Sequence, residues 1–252
     1  MKAYITNNKS YAFLFFVSLF LLWEVLSFIY PEMIVPSVNS VVFAIWNITY
    51  RGQIISESAL TVMRLIVGLV LAIFVGSVLG IAMGLNTKVR SFFMPFIGIL
   101  QATPPISGLV LAMIWFGLTG KASIFIVFLV TLPIILISII EGFENISIEL
   151  LEMAKVFQLS KLQIIKDIIV PSLISYLKAG INIALGLGWK IIVMAEVLSS
   201  NTGIGSQITS ARLNLSTDLV FAWTIIVIFL CYISQKICDV LFELIGYRGK
   251  LE

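Results

Sequence analysis

Long apolar runs separated by short polar segments make up most of this chain. Six runs are long enough, at about 20 residues or more, to cross the hydrocarbon core of a bilayer as helices. We therefore expect an all-α integral membrane protein with one transmembrane domain over residues 1–252. A signal peptide is the alternative for the first run, but no small-residue cleavage site follows it. The predicted spans cover about 11–30, 60–85, 92–116, 122–140, 172–198 and 219–245.

Glycines recur every four residues in the second predicted span, at Gly76, Gly80 and Gly84. This spacing places them on one helical face, where small residues let a neighbouring helix approach closely. The segment before this span, residues 30–54, predicts an amphipathic helix at the membrane surface.

The third predicted span contains Thr103, Pro104 and Pro105 in its middle. Proline removes a backbone donor and clashes with the preceding turn, so a helix must break or kink here. A membrane tolerates freed backbone groups only where protein or a water-filled cavity covers them. The break is therefore a candidate element of a translocation pathway, and a packing kink is the alternative.

Residues 141–171 form the longest polar interruption, with five of the thirteen acidic residues and three of the sixteen basic ones. Apolar residues at helical spacing predict two short helices joined by a turn. Ser160 and Gln163 have the spacing of a capping box, which predicts the start of the second helix. Pro171 predicts the next helix boundary.

The order of residues in this loop resembles the EAA loop of the membrane subunits of binding-protein-dependent ABC importers. That pattern is E-A-A, three residues, G, nine residues, I-x-L-P, and its spacing matches throughout. Glu152, Ala154, Ile168 and Pro171 match in identity, whereas Met153, Gln158 and Val170 depart from it. Gln158 occupies the position at which the family pattern has the glycine of the turn, so the turn is expected to be tighter or reshaped. The resemblance assigns contact with an ATPase to Glu152, Met153, Ala154, Phe157, Gln158, Ile168 and Pro171.

Residues 35–245 are similar to the nitrate/sulfonate/taurine branch of these type I permeases. This resemblance implies a homodimer, two cytosolic ATP-binding subunits that hold ATP and Mg, and an extracytoplasmic solute-binding protein. It implies no cofactor in this chain, and its substrates would be small organic or inorganic anions or vitamin precursors. The matching segments are Pro104-Pro105, Ile114 to Gly117, Trp189, Ala195-Glu196, Gly203 to Gly205 and Asp218 to Phe221.

Composition narrows the function further. Hydrophobic residues make up 60% of the chain and charged residues 12%, and the net charge of +3 is too small to indicate nucleic acid as a partner. Histidine is absent, and the two cysteines have neither disulfide nor metal-site spacing. Gly120-Lys121 does not form a nucleotide-binding P-loop, because Trp115 and Ala122 stand where glycine and Ser or Thr belong. We expect no catalytic or metal site.

Lys190 and Glu196 lie within the fifth predicted span, and ionisable residues at such depth indicate a cavity or pathway. Six residues separate them, so they lie on different helical faces and are not expected to pair. The alternatives are an interfacial position for Glu196 and a snorkelling side chain for Lys190. The candidate pathway residues are Thr103, Pro104, Pro105, Trp115, Trp189, Lys190 and Glu196.

Basic residues predict the orientation, because cytosolic loops are enriched in Lys and Arg. With both termini in the cytosol, eleven basic residues lie on the inner side and four on the outer side. We therefore expect a multi-pass inner membrane permease of an ATP-driven importer. An ion-coupled secondary transporter and a membrane-embedded enzyme are the alternatives. The inner set is Lys2, Lys9, Lys88, Arg90, Lys155, Lys161, Lys166, Lys178, Lys236, Arg248 and Lys250, and the outer set is Arg51, Arg64, Lys121 and Arg212.

Overall fold

A computed structural model describes residues 8–244, and the regular structure of this part of the chain is entirely helical. Lys2, Arg248 and Lys250, which entered the count of basic residues, lie outside the described residues. A π-helical turn, Ile165–Ile169, joins α8 directly to α9. The helices are α1 Asn8–Ile29, α2 Val38–Tyr50, α3 Gln53–Leu85, α4 Thr87–Ala102, α5 Pro105–Phe116, α6 Gly120–Glu144, α7 Ile148–Val156, α8 Lys161–Ile164, α9 Val170–Ser199, α10 Ile204–Leu213 and α11 Thr217–Leu244.

Four helical segments of the described residues are long and apolar enough to cross a membrane: α3, α6, α11 and the continuous segment Lys161–Ser199. The bent pair of α4 and α5 makes up to five if it forms one span. A shorter apolar helix covers Phe13–Ile29, so the sixth span stays a prediction. The all-α membrane fold is confirmed. Helix α2 lies in the segment predicted to be amphipathic and buries Val41, Ala44 and Ile48.

Helices α3 and α6 pack side by side in the same direction. Gly68 faces Val127, Gly76 faces Ile135 and Gly80 faces Ile139, so the contacts advance together along both helices. A methyl group at Gly76 or Gly80 would lie only 3.1 or 3.0 Å from the Cβ atom of the facing isoleucine. The close approach predicted for the glycine stripe is confirmed.

Helix α6 is the centre of the fold, because both α3 and α9 pack against it. Helix α9 runs in the direction opposite to α6. Gly180 of α9 contacts Ser138 of α6, and Gly142 of α6 contacts Leu173 and Tyr176 of α9. The buried side chains of α6 are apolar or small, which lets α3 and α9 both lie close to it. One hydrophobic core therefore joins α3, α6 and α9, with α2, α5, α10 and α11 around them.

The predicted break at Thr103 to Pro105 is a sharp bend of 95° between α4 and α5. Thr103 ends α4 with extended backbone, and its N–H donates to the Ile99 carbonyl over 3.0 Å. Pro105 is at the start of α5, where the backbone N–H has no helical partner in any case, so proline costs no hydrogen bond. The chain thus breaks here rather than kinking, because both prolines are accommodated at a helix start.

The boundary predicted at Pro171 is wrong, because the helix continues through it. Segment Lys161–Ser199 is a single helical element, and Pro171 is near the beginning of α9. Proline in a helix usually disrupts the i to i−4 hydrogen bonding. Here the Val170 N–H donates to the Ile165 carbonyl, five residues back, and this wider π-helical turn accommodates the proline. The second helix of the polar loop is therefore continuous with the fifth span, which begins before the predicted residue 172.

We expect Gly80→Ala to lower the free energy of unfolding by about 1–3 kcal/mol. The added methyl group would lie 3.0 Å from the branched Cβ atom of Ile139, which cannot rotate away. Thermal unfolding of the purified protein in detergent, followed by circular dichroism, measures the change.

Gly98→Ala in α4 is the matched control. A Cβ atom at Gly98 would meet no atom within 4 Å, and alanine favours a helix over glycine by up to about 1 kcal/mol. We expect the melting temperature of this variant to equal or exceed that of the wild type. Equal melting temperatures for the two variants would contradict the close packing of α3 on α6.

Candidate functional site

The polar loop begins with a well-capped short helix. The Ser147 Oγ atom accepts a hydrogen bond from the Leu150 N–H over 3.2 Å and so satisfies one free donor at the start of α7. Its hydroxyl also donates to Glu149 Oε2 over 2.6 Å, and this bond lowers the pKa of Glu149 below its usual value. A negative charge in the first turn also suits the helix dipole.

Helix α7 ends in a turn for which glycine is normally used. The Leu159 N–H donates to the Ala154 carbonyl over 2.9 Å, and the Gln158 N–H donates to the Lys155 carbonyl over 3.0 Å. This is the Schellman hydrogen-bond pattern, whose penultimate residue adopts a left-handed conformation. Gln158 has a φ of +50°, so it adopts that conformation although it has a side chain. The turn is not reshaped by the glutamine.

The capping box predicted for the second helix is confirmed. The Ser160 N–H donates to Gln163 Oε1 over 2.8 Å, and the Gln163 N–H donates back to Ser160 Oγ over 3.3 Å. The two reciprocal bonds satisfy two free N–H groups at the start of α8.

The residues that match the EAA pattern divide into buried and exposed sets. Ala154 is 0% exposed and Ile168 is 7% exposed, so these two side chains attach the loop to the rest of the protein. Glu152 and Gln158 are exposed. Large apolar side chains are also exposed around them, and Val156 and Phe157 are 79% and 70% exposed. The exposed apolar residues, which we name the α7 surface, are Ile148, Met153, Val156, Phe157 and Leu162.

Pro171 lies beside a cleft of about 690 Å³ between the loop and the beginning of α9. Asn145, Ser147 and Leu150 line it from the loop, and Asp167 lines it from the π-helical turn. At the same end of the fold an ion pair joins Arg90 of α4 to Glu144 of α6. The beginning of the polar loop thus faces the beginning of α9 across this cleft.

The candidate pathway residues are not all brought together. Trp189 is buried, and its Nε1 atom donates to Ser234 Oγ in α11 over 2.9 Å. Lys190 is exposed and lines a cavity of about 420 Å³ between α9 and α11. Trp115 is exposed at the end of α5 and packs edge-on against Phe125 of α6. Thr103, Pro104 and Pro105 form the bend between α4 and α5.

Glu196 does not line a pathway in the described structure, which corrects the prediction. Its side chain is 0% exposed, and Arg64 Nη1 of α3 donates to Glu196 Oε1 over 2.6 Å. The Thr61 hydroxyl and the Gly205 N–H both donate to Glu196 Oε2, over 2.8 and 3.1 Å. A buried carboxylate needs such partners because unpaired burial of a charge is very costly. The expectation that Glu196 does not pair with Lys190 is confirmed.

Arg64 extends this cluster to the segment that follows α9. Its Nη1 and Nη2 atoms donate to the carbonyl and hydroxyl oxygens of Thr202 over 2.8 and 2.6 Å. The Gly203 N–H donates to Glu57 Oε2 over 2.6 Å. Helix α3 therefore fixes the end of α9 and the start of α10. Arg64 was counted only for orientation, although an arginine inside an apolar run, facing a carboxylate in another span, was a usable signal.

The Gly203-Ile204-Gly205 motif has a steric explanation in the same cluster. Gly203 has a φ of +98°, and a side chain there would collide with the Glu196 carboxylate. A Cβ atom at Gly205 would lie 2.5 Å from the Glu196 Cβ atom, and one at Gly120 would collide with the Arg64 guanidinium. The three glycines leave the space that the buried ion pair occupies.

Comparison with known proteins decides the family. Residues 68–243 match the family described as "Binding-protein-dependent transport system inner membrane component". The chain belongs to this family. It is thus a transporter permease subunit and not an enzyme, and the family implies ATPase and binding-protein partners.

Named relatives of this permease include three from bacteria. It is 29% identical to the taurine transport system permease protein TauC of Escherichia coli, over 70% of this chain and 64% of TauC, just under two thirds of that relative. It is 31% identical to the Escherichia coli permease protein SsuC, named for aliphatic sulfonates transport, over 84% of this chain and 79% of SsuC. It is 29% identical to the nitrate import permease protein NrtB of Synechococcus elongatus, over 83% of this chain and 80% of NrtB.

A solved structure supports the permease fold. A chain of the MetNI methionine ABC transporter in an inward-facing conformation superposes with a TM-score of 0.62. The match covers 73% of this chain and 92% of that chain. At 17% sequence identity the likeness shows the fold alone.

We expect Gln158→Gly to stabilise the turn after α7 by about 1 kcal/mol, because the left-handed conformation is strained for a residue with a side chain. Hydrogen exchange of the amides of residues 154–164, followed by mass spectrometry, measures this local stability. Exchange should slow by about fivefold.

Gln163→Gly, five positions further along, is the matched control. It removes the side chain that caps Ser160, so exchange of the same amides should become faster. Faster exchange in the Gln158→Gly permease as well would contradict the strained turn.

Proposed function

We propose that two copies of this permease form the translocation pathway of an ATP-driven importer, and that the α7 surface binds a cytosolic ATP-binding subunit. The observation that carries this proposal is the set of exposed apolar side chains on α7 and α8. Exposed apolar patches on a polar segment are typical of protein contacts. The residues proposed to make the contact are Glu152, Met153, Phe157 and Gln158.

Helical continuity gives this contact a mechanical consequence. Ala154 and Ile168 are buried, so they hold the loop against the protein, and the segment Lys161–Ser199 is one helical element. A force on α8 is therefore transmitted to α9 without a flexible connection, and the hydrogen-bonded turn at Gln158 joins α7 to α8. We propose that closure of the ATP-binding subunits on ATP moves α7 and tilts α9, which exchanges two packings of similar free energy.

The proposal also includes the orientation of the permease in the membrane and the side on which substrate is delivered. The excess of basic residues on the side of the polar loop favours a cytosolic α7 and cytosolic termini. A solute-binding protein would then deliver substrate at the opposite end, where α10 begins. The names of the relatives favour a small anion such as a sulfonate or nitrate as the substrate, with a vitamin precursor as the alternative.

We expect Glu152→Lys and Phe157→Ala to abolish binding of the ATP-binding subunit, and with it ATP hydrolysis by the assembled importer, while the permease remains folded in the membrane. Glu152 makes no side-chain hydrogen bond or ion pair within the described part of the chain, and Phe157 is 70% exposed, so neither change removes a hydrogen bond or a core side chain. The measurement is co-purification with the ATP-binding protein encoded nearest to this chain, together with ATP hydrolysis in lipid. At a protein interface such residues account for about 1–4 kcal/mol each.

Glu243→Lys and Phe28→Ala are matched controls, because these residues are exposed on α11 and α1. Both variants should co-purify with the ATP-binding protein as the wild type does. Undiminished co-purification and activity of Glu152→Lys and Phe157→Ala would refute the role of the α7 surface.

A further inference from the structure

Helix α9 carries a row of polar and small residues that lies outside the proposed contact of α7 with an ATP-binding subunit. Lys178, Asn182, Gly186 and Lys190 recur every four residues, so each lies about 40° further around the helix than the one before. The row therefore winds gradually along the side of α9 that meets α11. The row covers 13 of the 30 residues of α9.

Helix α11 places polar groups opposite this row. Lys178 Nζ lies 3.6 Å from Asp239 Oδ1, and the Asn182 amide donates to the same oxygen over 3.2 Å. Further along, a Cβ atom at Gly186 would lie 3.3 Å from Gln235 Nε2. Gln235 therefore lies over the gap that Gly186 leaves.

The row ends at the 420 Å³ cavity that Lys190 lines. Tyr232 and Gln235 of α11 add polar groups to this cavity, and its remaining walls are largely apolar. Such a site combines a positive charge and hydrogen-bonding groups with an apolar surface. The apolar wall residues are Trp189, Val193, Val227, Ile228 and Cys231.

Lys190 differs from the other charged residues of this region in its partners. Lys178 pairs with Asp239, and Arg64 pairs with Glu196. Lys190 is exposed and has no carboxylate partner among residues 8–244. A lysine in mid-span that faced hydrocarbon would be costly, so its face is expected to line a water-filled space.

We propose that Lys190, Gln235 and Tyr232 form a binding site for the anionic group of the transported solute. The site takes a sulfonate, carboxylate or nitrate group, and the apolar wall accommodates a short hydrocarbon part. Lys190 supplies the charge, and the Gln235 amide and Tyr232 hydroxyl supply hydrogen-bond donors. This inference rests on the proposed importer function and names the chemistry of its substrate.

Cys231 makes the site testable without knowledge of the solute, because its thiol lies in the same cavity. The experiment uses the permease assembled with its ATP-binding subunits in lipid, with Cys238→Ser to leave one thiol. Cys231 is labelled with the anionic reagent 2-sulfonatoethyl methanethiosulfonate or with its cationic trimethylammonium counterpart. The ratio of the two rates cancels any change in the reactivity of the thiol itself.

We expect the anionic-to-cationic rate ratio at Cys231 to exceed that of a small thiol in solution, because the positive charge of Lys190 concentrates anions in the cavity. Lys190→Met should lower this ratio by about tenfold. Lys190→Arg should retain the ratio, which separates loss of charge from misfolding. The labelling is measured without nucleotide and with ATP plus vanadate.

Two results would overturn the anion site. One is no labelling of Cys231 in either state, as expected if lipid or the second subunit covers the cavity, and the other is an anionic-to-cationic rate ratio no higher than that of a small thiol in solution. ATP hydrolysis by the same preparation tests the importer function separately. Coupled hydrolysis without anion preference refutes the anion site alone. Anion preference without any bound ATP-binding subunit refutes the importer function and leaves the anion site in place.

Discussion

A polypeptide that crosses hydrocarbon must satisfy its backbone hydrogen bonds internally, and this constraint explains where the present chain breaks and where it continues. The chain breaks at Thr103 to Pro105, where α4 and α5 meet at 95°. It continues through Pro171, because the π-helical turn Ile165–Ile169 supplies an alternative hydrogen-bonding pattern. One proline site thus separates two helices, and the other preserves a single rod between the polar loop and the far end of α9.

The hydrocarbon of the membrane also requires each charged side chain in the spans to be neutralised or hydrated. Arg64 and Glu196 neutralise each other: both side chains are buried, and a hydroxyl and a backbone amide donate further hydrogen bonds to the carboxylate. This cluster fixes α3, α9 and α10 relative to one another, and it requires glycine at Gly203. Lys190 has no such partner in the described residues, and its position between α9 and α11 is therefore where a mobile anion is expected. Structural and functional charges are distinguished by whether the fold itself neutralises them.

Local patterns in the sequence predicted the long apolar helices, the glycine stripe on α3 and the capping box at Ser160, because each depends on residues within a few positions. Helix α10, Ile204–Leu213, was not predicted, because its residues are mostly polar and lie between two predicted spans. The Pro171 boundary was mispredicted because a local rule ignores the π-helical turn that accommodates the proline. Glu196 was assigned to the pathway because its partner, Arg64, is 132 positions away, and only the packing of α3 against α9 brings them together. The conformation of Gln158 likewise depends on the hydrogen bonds of the whole turn.

The central claim is that α8 and α9 move as one body when ATP-binding subunits act on α7. Spin labels at Lys161 and Leu198, in a Cys231→Ser and Cys238→Ser background, report the length of this rod by pulsed electron paramagnetic resonance. A rise of 1.5 Å per residue puts the two positions about 55 Å apart. We expect this distance to stay constant on trapping with ATP and vanadate, while the distance between Leu198 labels of the two subunits changes by several ångströms, on the order of a shift between packed helices. A shortened rod, or an unchanged distance between subunits, would contradict rigid transmission.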